Sequence, residues 1–337
     1  MSNTSYYELT HLGILQATGA DVSGFLQGQL TNDIRDLDNG ASQLGAYCSH
    51  KGRMMAIMRL VRQGDDILML LPPERIEPVM NRLRMFVLMS KVELANISDT
   101  FRTIGLTGED AAALLGHDAP AEIDAVSCAE DGVCIIRVAS GDDVPRFMLA
   151  GSNSALDNRI SQFGDDVGTG ELNDWLLQDI RAGLPIVFEQ TVEAFVPQMA
   201  NMHLVNGVSF TKGCYTGQEV VARMQYLGSL KRRMYRVAID GDCPAPGTDL
   251  HAPGSKSAQG AGKVMLAAST PDGNCEALIV TEIASADEGS VRLVDEVDRS
   301  IAQASPAFFS SAFFDPPSHH SDSSIRPRTA SASITLG

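Results

Sequence analysis

Residues 211–219 read TKGCYTGQE and set one cysteine among a lysine, two glycines and a glutamate, a combination suited to thiol chemistry. Thr216 and Glu219 stand at capping-box spacing, in which the Thr side chain accepts from the N–H three residues on and the Glu reaches back to the Thr N–H. A helix is therefore expected to begin at Thr216 and to continue through VVARMQYL. Cys214 would then face the positive end of that helix with Lys212 close by, and both neighbours favour a thiolate. Gly213 and Gly217 permit a tight turn and a close approach by a ligand. The residues alone leave a second reading open, in which a small cysteine fills a buried strand-to-helix turn. No histidine is fixed beside the loop; His203, in NMHL, partners the cysteine only if the fold brings the two together.

A run of five bases, Arg223, Lys231, Arg232, Arg233 and Arg236, lies between Val220 and Ile239 with no acid among them. It sits in a chain whose 42 acidic and 26 basic residues leave a net charge of −16. That balance opposes a broad grip on nucleic acid or on an anionic membrane, so neither is an expected partner; a local anion site is compatible with it. The run reads equally as a solvated face paired with acids elsewhere. No stretch approaches the ~20 apolar residues of a membrane helix, and MSNTSYYELTHLGIL has no charged-then-apolar leader pattern, so a cytoplasmic protein is expected. The six cysteines are dispersed without a CxxC pair, and neither a disulfide framework nor a local metal site is expected.

The elements that must hold these residues are short and mixed, which gives an α+β class. Apolar runs such as ILMLL at 67–71 alternate with turn signals, and Ile76, Val79, Met80, Leu83 and Val87 recur at helical spacing over 74–87. Residues 101–165 repeat the mixture as a second lobe, with strands at FRTIGLTG, 133–138 and 146–150 around a short helix at EDAAALLGH. ELNDWLLQDIRAGLP is a helix closed by Gly183 and Pro185, with Leu172, Trp175, Leu176 and Ile180 on one face. Over 233–298, β-prone pieces divided by PAPG, APGS and PDGN indicate a small C-terminal β-barrel. Residues 299–337 have no periodicity and are expected to form a disordered tail.

Taken together these stretches resemble a known family. FTKGCYTGQEVVAR is similar to the signature loop of the YgfZ-type folate-binding proteins, relatives of the glycine-cleavage aminomethyltransferase, or T-protein. FLQGQLTND at 25–33, KGR at 51–53, DIRAGLP at 179–185 and FVPQ at 195–198 match further stretches in the family's order. The resemblance implies a three-lobed, GcvT/YgfZ-like ring in which residues 1–232 form the folate-binding region, with tetrahydrofolate in a central channel. It also implies a role in the assembly or repair of iron-sulfur enzymes and, through them, in tRNA modification, with iron-sulfur proteins or cluster-assembly components as partners. Cys214 corresponds to the family's functional cysteine and faces the channel in this reading. Trp175, the only tryptophan, corresponds to a folate contact. Lys212, Gly213, Tyr215, Gly217, Gln218, Glu219 and Arg223 belong to the same site, and Arg223 with Lys231, Arg232 and Arg233 would meet the anionic polyglutamate tail of a folate. Three positions depart from relatives: Arg181 stands where many carry a carboxylate, Leu12 lies near the place of an aromatic residue, and Cys214 replaces an acid of the transferases. The alternatives are a tetrahydrofolate-dependent one-carbon transferase and a non-catalytic interaction module.

Overall fold

The strand Met54–Gln63 is buried along most of its length because both of its faces are covered. Ala56, Met58 and Leu60 point into one core, while Ile57 and Val61 belong to two others. This is the consequence of a period of two acting on an apolar run. In the computed structural model, which describes residues 4–255, 257, 260–293 and 301–306, this strand belongs to the first of three sheets.

The N-terminal sheet has the antiparallel order Gln43–Cys48, Met54–Gln63, Asp66–Leu71, Gly13–Thr18 and Glu93–Asn96. The helix Pro73–Val87 lies over it through Ile76, Val79, Met80 and Leu83, the residues whose spacing predicts it. The middle sheet contains Phe101–Thr107, Arg146–Ser152, Cys134–Val138 and Val126–Cys128. It also takes in Ser5–Glu8 from the start of the chain and Gly168–Thr169, so the second lobe is wider than 101–165. The reason lies in Thr103 to Leu106, which are all buried and need a partner strand on each edge.

The C-terminal sheet is a curled half-barrel of order Arg292–Leu293, Asp249–His251, Gly262–Ser269, Cys275–Glu282, Arg232–Ile239 and Ile301–Pro306. Its last strand corrects the expected boundary at 298. Ile301–Pro306 runs antiparallel to Arg232–Ile239, with Ile301 opposite Ile239 and Pro306 opposite Tyr235. The strand covers what would otherwise be a free edge. Residues 307–337, with the phenylalanine pairs of the expected tail, lie outside the described residues.

Two cysteine pairs depart from the sequence reading. Cys128 and Cys134 face each other across one hairpin and are disulfide-bonded, as are Cys243, in the loop after Arg232–Ile239, and Cys275, the first residue of Cys275–Glu282. Strand register, which spacing does not display, creates the first pairing, and the loop that follows Arg232–Ile239 brings Cys243 to the start of its neighbouring strand for the second. Among the described residues no helix is long and apolar enough to cross a membrane.

The three sheets meet around the helix Leu172–Arg181. Trp175 packs with Tyr7, Ile14, Leu70, Ile136 and Met148 between the N-terminal and middle sheets. Leu177 and Ile180 pack with Ile57, Met265, Leu266 and Leu278 between the N-terminal and C-terminal sheets.

Candidate functional site

The cysteine loop is held from below. Lys212 is buried, and its Nζ donates to the carbonyls of Gln27, Leu30 and Asn32 at 2.7, 2.6 and 2.7 Å. All three ammonium protons are used, so Lys212 bolts the loop to the FLQGQLTND segment. Burial pushes this ammonium down to about 8, partly offset by the Asp33 carboxylate. The segment is knitted further by Thr31, whose Oγ1 donates to Gly207 O at 2.7 Å, and by Asn32, whose Nδ2 donates to Asn206 O at 2.6 Å. The Tyr215 ring is buried under the loop, with Lys212 Nζ 5.2 Å from its centroid. Burial raises the Tyr215 phenol above its ordinary range.

Gly217 is the second fixed point. Its φ is +83°, and a Cβ there would lie 2.4 Å from Ser49 O and 3.0 Å from the Gly52 backbone, so the loop and the KGR turn touch through bare backbone. This contact overrides the expected capping box. The helix spans Gln218–Tyr226 with Gly217 at its N-cap, and no side chain caps it. A Thr cap is worth about 1 kcal/mol, too little to displace a backbone contact of this kind. A third support comes from FVPQ, where Gln198 Nε2 donates to Val221 O at 2.7 Å inside the structure. Cys214 itself is an exposed free thiol. Gly213, Glu219 and Arg223 are exposed as well, and Gln218 Nε2 makes a long contact of 3.4 Å with Gly213 O.

Trp175 sits elsewhere. It is fully buried, with the Arg146 guanidinium 4.0 Å over its ring and Tyr7 at 5.7 Å. Its ring lies over the Phe101–Thr107 strand where Gly105 leaves room; a Cβ at that glycine would come within 2.3 Å of the indole. The tryptophan is a core residue in this structure, and the expected ligand face is occupied by protein.

A narrow cavity of about 60 Å³ opens where the three sheets meet. His11, Leu12, Arg59, Met148, Leu176 and Asp179 are among its walls, together with Leu184, Pro185 and Ile186 of the DIRAGLP turn and Leu266 of the C-terminal sheet. No residue of the cysteine loop is among these walls. The KGR turn links the two places, because it packs on Gly217 and leads into the strand whose Ile57, Met58 and Arg59 wall the cavity.

The polar groups of the cavity escaped the sequence reading. Asp179 accepts from the wholly buried Arg146 at 2.8 Å. Arg59 pairs with Asp124 at 2.6 Å and with Ser42 Oγ at 2.8 Å. His11 Nδ1 is buried without a hydrogen-bond partner, and burial drives its imidazole down to about 4, with Asp179 opposing the shift. Asp179 stood inside a quoted motif, one helical turn beyond Trp175. His11 carried no signal. Arg181 turns outward and binds Glu276 of the C-terminal sheet through Nε and Nη2 at 3.0 and 2.7 Å.

Comparison with known proteins agrees with this geometry. Residues 1–136 match the family described as GCVT N-terminal domain. The chain is 30% identical over 277 residues to the tRNA-modifying protein YgfZ of Colwellia psychrerythraea, covering 82% of this chain and 84% of that one. The chain belongs to the YgfZ family. YgfZ of Yersinia enterocolitica is 30% identical over 85% of this chain and 86% of its own, and that of Cronobacter sakazakii 32% identical over 78% and 80%. The glycine cleavage system aminomethyltransferase T of Bartonella henselae superposes with a TM-score of 0.65 at 14% identity, over 89% of this chain and 84% of that one. The YgfZ-family chain therefore shares the aminomethyltransferase fold.

Proposed function

We propose that this protein is a folate-binding factor that supports iron-sulfur enzymes of tRNA modification, with the Cys214 thiol as its working group. One observation carries the reading: FLQGQLTND, KGR and FVPQ, far apart in sequence, converge on the cysteine loop and fix it while leaving the thiol exposed. A cysteine that merely filled a turn would be buried, as Cys48 is. Tyr226 and Leu227, 67% and 85% exposed at the C-terminal end of the helix after the loop, with the Tyr226 ring 6.2 Å from that of Phe210, add exposed apolar surface that suits a protein partner. The relatives named tRNA-modifying proteins supply the biological output of the reading.

The folate component rests on the family resemblance and on the cavity. The Asp179 carboxylate and the unpartnered His11 nitrogen are groups that a pterin's amino and ring N–H donors can use. The cavity as it stands holds only a few waters, so a pterin requires wall side chains such as Leu12 and Leu176 to swing aside.

The test uses a bacterium lacking its own YgfZ-family protein. Wild-type protein should restore thiolated tRNA nucleosides, measured by mass spectrometry, and Cys214→Ala at equal abundance should restore less than a tenth of that level. Full restoration by Cys214→Ala would overturn the role of the thiol.

A further inference from the structure

A groove of about 940 Å³ lies between the KGR turn, residues 193–195 and the C-terminal sheet, with Lys51, Arg53, Glu193, Arg232, His251 and Lys263 among its walls. Arg53, Ala194 and Arg232 carry it into a second recess of about 420 Å³ that adds Lys231 and Glu282. Five fixed cations, Lys51, Arg53, Lys231, Arg232 and Lys263, face three carboxylates, Glu193, Asp249 and Glu282. The excess of positive charge stands in a chain of net charge −16.

Two of the five cations are committed to carboxylates. Lys263 pairs with Asp249 at 2.5 Å, and Arg232 lies 3.4 Å from Glu282 while donating to Gly260 O at 2.6 Å. Arg53 uses only Nη1, on the carbonyls of Glu193 and Ala194 at 3.0 and 2.6 Å. Lys51 and Lys231 are exposed, and their ammonium groups have no partner among the described residues.

The groove is in register with the central cavity. Arg53 immediately precedes the strand whose Ile57 to Arg59 wall the cavity, and Lys263 and Leu266 stand on one strand, in the groove and the cavity respectively. At the rise of a β-strand these offsets are about 10–20 Å. An extended ligand can thus enter the cavity with one end and lie along the cations with the other. The interspersed Glu193, Asp249 and Glu282 repel a continuous phosphate backbone but leave room for carboxylates spaced along a flexible chain.

We propose that this groove binds an oligo-carboxylate chain, the poly-γ-glutamate tail of a folate whose pterin occupies the central cavity. The assignment rests on the folate reading above and relocates the anion site expected from the basic run. Arg223 is exposed on the helix after the cysteine loop, and Arg233 lines a different recess beside Tyr235 and Asp287. Lys51 and Arg53, outside that run, take their place.

Calorimetric titration of the full chain with monoglutamyl tetrahydrofolate, its pentaglutamyl form and free penta-γ-glutamate tests this. Wild type should bind the pentaglutamyl form at least tenfold more tightly than the monoglutamyl form, and the preference should shrink in 0.5 M salt. Lys51→Gln with Lys231→Gln, two exposed changes, should abolish the preference and leave monoglutamyl affinity unaltered. Equal affinity of wild type for the two folates overturns the groove assignment while sustaining the folate reading. If neither folate binds, the folate reading fails. The groove then stands as a carboxylate site only if free penta-γ-glutamate binds wild type and not the double variant, and is overturned otherwise.

Discussion

Lys212 shows how one side chain converts a flexible loop into a fixed one. Its long aliphatic stem crosses the protein interior, and its three protons meet three carbonyls that have no other use for that face. Lys212→Met keeps the stem and removes the donors, leaving desolvated acceptors behind. We expect a loss of roughly 2–4 kcal/mol in urea unfolding, and Lys212→Arg should not rescue it because a planar guanidinium cannot reproduce the tripod. A loss under about 0.5 kcal/mol would show that water replaces the ammonium. Position 212 was legible as a basic residue beside a cysteine, but its direction was not. The carbonyls that receive it belong to residues about 180 positions away, and no local pattern announces such partners.

At the scale of elements, the regular pieces were readable and their ends were not. The helix Pro73–Val87 and the strands Phe101–Thr107 and Arg146–Ser152 follow from periodicity, because each buries a face of fixed spacing. The capping box at Thr216 failed where a tertiary backbone contact outweighed a local hydrogen bond. Ile301–Pro306 was missed because IAQASP has little apolar content, and its place depends on a neighbouring edge rather than on its own residues. That strand yields a test. A chain ending at residue 299 exposes the Arg232–Ile239 edge and should melt several degrees below one ending at residue 306, or aggregate. Identical melting of the two truncations would show that the strand contributes nothing.

At the scale of the molecule, three sheets are assembled around one helix and a cavity, and the cavity sets a pH dependence. The His11 imidazole titrates near 6.5 in an unfolded chain and at about 4 here, chiefly through burial. As pH falls below 6.5 the unfolded chain takes up a proton that the folded one refuses, so stability declines until about pH 4 and then levels for this group. The loss is at most about 3 kcal/mol. His203, also lowered by burial, adds in the same direction. Asp33, held down to about 2 by Arg35, loses its contribution as pH falls from the ordinary carboxylate value towards about 2, mostly below the span of these titrations. Urea titrations between pH 7 and 4 should therefore show a shallower decline for His11→Gln than for wild type. An unchanged slope would assign the decline to other groups. The α+β class was legible from the mixture of elements and the three lobes from the family resemblance, but the seam of Arg146, Asp179 and His11 was not, since it joins residues from three separate stretches.

The placement of Ser5–Glu8 bears on how the chain is made. This strand pairs with Phe101–Thr107 on one side and with Gly168–Thr169 on the other, so it leaves the ribosome with no partner in its own neighbourhood. At about 5–20 residues per second, some 5–20 s pass before its first partner is synthesised. The intervening N-terminal sheet can form during that interval, while Ser5–Glu8 stays unpaired. Its later capture would then close the middle lobe onto a neighbour already folded.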